Sequence, residues 1–321
     1  MAGDEDEVDG IAIVAVEILP DDADTAPGKP RVKTLDVKPR AGEMIKPAEL
    51  IDISGHSHLT LSDKRIYNAL VANAFGPAMG QRGQEFQVGT ATLRGSHKGN
   101  ERLKDSIERL MKTIVRVRLA DGQTRRVQLL GANDMYDDER PDGVLTYSFD
   151  PKLIGLLKNS TVFGKLEVQV MMAFTSSYAL SLYEAVAKRY RLKYKNSETL
   201  SIEELRDMLG VAEGKLDVWG NLFEKAVKPA LREINALAAF AVGVKPLKTG
   251  RKVTGVVLTW WSKNEDELRE AWREVQRPKI GRKARLEGTA ERPAFDEASL
   301  PPLEEVRRSG PAATVPPKSK R

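Results

Sequence analysis

The sequence predicts an α+β chain of two tandem units, each a set of helices followed by a β-hairpin, with a tail at either end. Three observations carry that expectation. Helix, short helix, long helix and hairpin recur at a shift of roughly 110–120 residues, although the two halves share few letters. The second hairpin joins two apolar runs, "FAVGV" and "VTGVVLTW", through a basic, glycine-containing turn, "KTGRK". Both ends of the chain lack the apolar periodicity that a packed core requires.

In the first half, Thr60 or Ser62 can cap a helix running to Ala74, with Ile66, Leu70, Val71 and Ala74 on one face. A short apolar run, "EFQV", precedes a short helix at Ala91–Gly95. The longer helix "NERLKDSIERLMKT" follows, with Leu103, Ile107, Leu110 and Met111 as its buried stripe and Lys104, Glu108 and Lys112 facing away. "IVRVRLADGQTRRVQLL" then reads as a hairpin, two alternating runs around Ala-Asp-Gly, and "GVLTYSFD" as a third strand.

The second half opens on the helix "FTSSYALSLYEAVAKRYRLKY", with Leu182, Val186 and Tyr190 along one side. Ser201 and Glu204 form a capping box for "SIEELRDMLGV", which Gly210 ends. In the long helix after it, Phe223, Val227, Leu231 and Ile234 recur at core spacing. Pro229 sits inside that helix and removes a backbone donor, so a bend is expected there.

Residues 1–45 read as a disordered acidic tail and 269–321 as a disordered, basic, proline-rich one, leaving modules at 46–170 and 171–268. Residues 1–27 hold nine acidic residues and no Lys or Arg, so residues 28–321 carry 51 basic against 37 acidic residues. A body that basic attracts polyanions, nucleic acid first. The chain has no cysteine, which excludes disulfides and thiolate metal sites, and no apolar run long enough to span a membrane. A cytoplasmic address is expected.

A hairpin with a cationic tip behind a set of helices is the order of a winged helix. One helix enters a major groove and the wing reaches a neighbouring groove or backbone. In the second module Asn221, Lys225, Lys228 and Arg232 lie opposite the core face, beside Lys248, Arg251 and Lys252 of the wing. Asn suits an adenine edge, and Lys suits phosphate or guanine acceptors. The first module offers Lys98, Asn100, Arg102 and Lys104 around its long helix, and Arg116, Arg118, Arg125 and Arg126 on its hairpin. Side chains alternate along a strand, so about half of those hairpin arginines are expected on one face.

Catalysis has little support. His56-Ser57-His58 resembles the H-x-H pair of metal-dependent DNA nickases, with Tyr183 or Tyr190 as nucleophile, but a serine stands where a bulky apolar residue is wanted. An exposed loop is the expected setting for these histidines. No phosphate-loop motif is present, and no cofactor or metal is expected. A DNA-binding transcription repressor built from the same tandem modules is the runner-up, and a winged helix that binds only proteins, which predicts no DNA complex, is a further rival.

The run "SSYALSLYE" (with Ser177, Tyr178, Leu182, Tyr183 and Glu184), the segment "SIEELRDMLGV", Glu233-Ile234-Asn235 and the Gly250-Arg251-Lys252 turn resemble the initiator Rep proteins of iteron-containing plasmids. The resemblance spans residues 55–265 and excludes both tails. It implies two winged-helix domains that bind directly repeated origin DNA, start replication as monomers with a host initiator and helicase, and repress their own promoter as dimers. It assigns base reading to Asn221, Lys225 and Lys228. Family members often carry arginines on that face, whereas Glu224 stands here among lysines.

Overall fold

The computed structural model describes residues 32–94, 99–119, 121–136, 143–190 and 195–290. The first part runs β1 (Glu43–Pro47), α1 (Ala48–Ile51), α2 (Leu61–Ala74), β2 (Phe86–Gly89), α3 (Thr90–Arg94), α4 (Glu101–Lys112) and β3 (Ile114–Arg118). It continues through β4 (Thr124–Gln128), β5 (Asn133–Asp134), β6 (Val144–Tyr147), α5 (Pro151–Leu157), β7 (Phe163–Glu167) and α6 (Val168–Ala173). Next come α7 (Ser177–Tyr190), β8 (Ser197–Ser201), α8 (Ile202–Leu209), α9 (Trp219–Leu222) and α10 (Lys228–Leu237). The described chain closes with β9 (Phe240–Thr249), β10 (Lys252–Ser262), α11 (Glu265–Gln276) and α12 (Arg282–Leu286).

Thr60 starts α2: its hydroxyl accepts the Asp63 N–H, and the Asp63 carboxylate accepts the Thr60 N–H at 2.8 Å. That buried carboxylate also receives Arg109 of α4 through two bonds, 2.9 and 2.8 Å. One capping residue therefore both begins a helix and fixes its neighbour. The core face of α4 is Leu103, Ile107 and Leu110, all buried, with Met111 only partly so.

The β3–β4 hairpin stands as its own two-stranded sheet. The expected third strand, β6, does not join it. It pairs with β2 and β5 instead, because Phe86, Tyr147 and Phe149 form an aromatic cluster with centroids 5.7–6.1 Å apart and Tyr147 donates to the Leu70 carbonyl at 2.6 Å. In the second module the sheet order is β8-β10-β9, and Val256, Leu258 and Trp260 anchor the wing on its inner face. The letters hide β8: although its burial alternates, "SETLS" holds a single apolar residue, Leu200.

Helix α7 joins the modules. It packs on β7, α1 and α2 on one side and on α8, α10 and β10 on the other, so most of its residues are buried. Gly210 ends α8 in the left-handed region at φ 73°, and a Cβ there would stand 2.8 Å from His56 Nε2. Glycine therefore both closes the helix and lets the second module lie against the first.

The stretch from residue 269, expected as a tail, is helical in much of its described part. Residues 265–276 form α11, capped by Asn264 and Glu267, and α12 follows to Leu286. The signal is hidden because the burial in this stretch is ionic: Glu274, Arg277, Arg282 and Arg285 are all buried, and an apolar search passes over them.

Candidate nucleic-acid interface

The second module presents its candidates on one continuous helix, Trp219 to Leu237, in which α9 and α10 are joined by a π turn. Pro229 explains the turn. It has no N–H to return to the Lys225 carbonyl, and the Lys228 N–H instead reaches the Phe223 carbonyl, five residues back. The expected bend is thus a local widening. It also shifts the core face, which is Leu222, Ala226, Val227, Ala230, Ile234 and Leu237, while Phe223 and Leu231 are only partly covered.

Asn221, Lys225 and Lys228 are exposed on the opposite face. Lys228 pairs with Glu224 at 2.8 Å, whereas Asn221 and Lys225 have no side-chain partner among the described residues. Arg232 differs from the expectation, since its guanidinium is engaged by Glu287, just beyond α12. It is held by the C-terminal extension.

The wing tip turns through Gly250, at φ 61°, with a bulge between Val253 and Gly255. Lys248, Arg251 and Lys252 are exposed and have no ion pair among the described residues. Lys245 joins them: it is exposed and lies opposite Val257. Sequence reading passed over it because it sits inside an apolar run, where strand alternation was the available clue.

In the first module, Arg116 faces Arg126 across the hairpin and Arg118 faces Thr124, all on the exposed side. Arg125 lies opposite the buried Val117, on the packed side. Three of the four hairpin arginines therefore share a face, one more than strand alternation alone led to expect. The Arg116 Nε donates to Ser54 Oγ at 3.1 Å, so this hairpin is tied to the loop before α2. Arg102 is exposed and Lys104 half-buried on α4. Asn100 is a correction: it is 3 % exposed at the start of α4, buried rather than presented to solvent. Lys98 lies outside the described residues.

The two described histidines do not form a pair. His56 is buried, and burial, with Lys64 and Lys46 nearby, pushes its pKa down to about 3. His58 shares a 2.8 Å hydrogen bond with Thr113 instead. The expected exposed loop holds for His58 alone. Tyr183 is enclosed, stacked on Phe240 at 5.5 Å with its hydroxyl accepting the Glu167 N–H. No cluster of three metal-ligating side chains occurs among the described residues.

Two family models match the chain, one described as "Initiator Replication protein, WH1" over residues 43–187 and one as "Initiator Rep protein, WH2" over residues 201–260. The chain belongs to the initiator Rep family. Its first Rep domain, as matched, extends through most of α7. Among solved structures it is similar to the Pi initiator protein in complex with iteron DNA, at 19% identity and a TM-score of 0.50, covering 70% of this chain and 98% of that one. A second similarity is to domains 2 and 3 of RctB, at 13% identity and a TM-score of 0.40, covering 63% and 82% of the two chains. No curated protein matches. The fold of this Rep protein is thus a tandem of winged-helix domains, WH1 and WH2.

The family marks read from the sequence occupy joints of the Rep fold. In "LYE", Leu182 and Tyr183 fill the core, and Glu184 accepts from Lys46 at 2.7 Å and Asn68 at 2.6 Å. In Glu233-Ile234-Asn235, Ile234 is buried and Asn235 brackets Val242 with bonds of 2.7 and 3.0 Å. Glu233 reaches back to Thr175.

Proposed function

We propose that this chain is a plasmid replication initiator that binds directly repeated origin sequences as double-stranded DNA, one repeat spanning both winged-helix domains. The observation that carries the reading is in WH2. Asn221 and Lys225 stand unpaired, among the described residues, on a helix whose far side is core, and the wing beside it bears three unpaired cations. Asn221 and Lys225 supply base-edge contacts, and Lys248, Arg251 and Lys252 supply phosphate contacts that fix register. Arg116, Arg118 and Arg126 do the same for WH1, with Arg102 and Lys104 on α4. Two recognition elements one helical turn apart give a site of about 20 bp.

The Rep membership of the chain supports two finer readings. The monomer starts replication by recruiting a host initiator and helicase, and a dimer represses the gene's own promoter. Catalysis has no part in this reading.

Selection of bound duplexes from a random pool, followed by fluorescence anisotropy over a salt series, tests it. A recovered site of about two turns, bound with an affinity that falls steeply with salt, is the expected result. Recovery of no enriched sequence overturns the initiator reading. Enrichment of a single inverted repeat at the promoter favours a repressor, and a covalent adduct with divalent metal would identify a nickase.

A further inference from the structure

The Rep match ends at Trp260, yet the ordered chain continues into α11 and α12. Those helices touch both domains. Lys263 donates to the Asn235 and Ala238 carbonyls at 2.6 and 2.7 Å, which ties the extension to the end of α10. Glu287 holds Arg232 of the same helix. On the other side, Gln276 meets Gln169 of α6 at 3.1 Å, and Arg282 donates to the Ala173 carbonyl at the end of α6 at 2.5 Å.

Arg282 is 2 % exposed, an arginine taken fully out of water. Its Nε meets Glu274 Oε1 at 3.1 Å, and its second amino group meets the Glu274 and Arg277 carbonyls at 3.0 and 3.3 Å. Glu274 also receives Arg277 at 3.0 Å and Arg285 at 2.8 Å. Burying such a cluster gains little stability over apolar packing, because desolvation offsets the attraction. What a planar, multiply bonded guanidinium does supply is one fixed geometry. Here it fixes the end of α6 in WH1 to α11 and the turn after it, and the extension in turn reaches α10 of WH2 through Lys263 and the Glu287–Arg232 pair.

We propose that α11–α12 is a clasp that sets the placement of WH1 relative to WH2, with Arg282 as its positioning residue, and so makes DNA binding selective for the spacing of the two half-sites. The DNA part rests on the function proposed above; the clasp itself does not. A one-base-pair change in spacing moves a half-site by about 3.4 Å along the axis as well as around it. Domains held together by α7 alone absorb part of that displacement, whereas clasped domains lose the second contact and its avidity.

The chain has no cysteine, so Lys152→Cys and Glu203→Cys place one spin label on each domain at exposed positions. Pulsed EPR of the DNA-free full chain is expected to give a narrow distance distribution. Arg282→Ala, and Arg282→Lys with Glu287→Ala, broaden it while the circular dichroism spectrum stays native. On the selected duplex, a two-base-pair insertion between half-sites costs the parent chain about tenfold or more in affinity, and the variants lose that discrimination. Their binding to a duplex with one half-site stays the same, which a general loss of structure would not allow.

An unchanged distance distribution in both variants overturns the clasp. So does loss of single-half-site binding in step with loss of discrimination. If Arg282→Ala does not fold, the Arg282→Lys, Glu287→Ala pair decides alone. If the parent chain selects no DNA, the EPR arm still decides the clasp and the proposed function fails separately.

Discussion

Glu233 of α10 accepts the backbone N–H of Thr175, in the connector before α7, at 2.9 Å. The same carboxylate takes the Ser176 N–H at 3.3 Å and the Thr175 hydroxyl. The carbonyls of the preceding residues go elsewhere, Met172 at the end of α6 and Phe174 to Arg65, and Ala173 to Arg282. The junction between α6 and α7 thus has its donors held by α10 of WH2 and its acceptors held by Arg65 of α2 and by Arg282 of the clasp.

Removing that carboxylate leaves two backbone amides without their acceptor. Glu233→Ala is expected to destabilise the chain by about 1–3 kcal/mol, and Glu233→Gln, which keeps a carbonyl acceptor, by less. Urea unfolding of both variants measures this; equal losses would mean that packing rather than the hydrogen bonds matters.

The wing prediction separates binding from folding. Arg251→Glu with Lys252→Glu is expected to weaken binding to every duplex alike and to flatten the salt dependence. The slope of log affinity against log salt falls by about 0.9 for each phosphate contact removed. Both side chains are exposed, so the melting temperature stays within a degree or two of the parent by the usual scale for surface changes.

Base reading is tested by contrast within one residue type. Asn221→Ala is expected to relax preference at one base pair at a cost of about 1–3 kcal/mol in discrimination, with the fold intact. Asn100→Ala removes a buried side chain and affects stability without changing the preferred sequence. Anisotropy on a set of single-base-pair variants, beside thermal melts, distinguishes the two.

His56 gives the chain an acid-sensitive joint. Its pKa falls from 6.5 to about 3 on folding, because burial and then Lys64 and Lys46 disfavour the imidazolium. The unfolded chain therefore binds the extra proton between those values. The contribution of His56 is complete above pH 6.5 and is lost as pH falls toward 3, at up to about 1.4 kcal/mol per pH unit. His56→Phe is expected to flatten that part of the stability–pH curve, as read by urea midpoints from pH 7 to 4.5.

The local code of this chain is open in its letters. Thr60, Ser201 and Gly210 mark helix ends because a hydroxyl or a left-handed glycine acts within one turn, and Val256, Leu258 and Trp260 mark an inner strand face by alternation. Asn221, Lys225 and the wing cations were legible for the same reason: each is defined by its phase against an apolar stripe a few residues away. The Rep motifs named the family. Only the tertiary structure decided what those motifs do, since Glu184 finds Lys46 across 138 positions and Glu233 finds Thr175 across 58. It also decided that Asn100 is buried, that Arg232 is taken by Glu287, and that α11–α12 is ordered. In each case the partner is distant in the chain, and a charge buried against a distant partner has the same local spelling as a charge facing water.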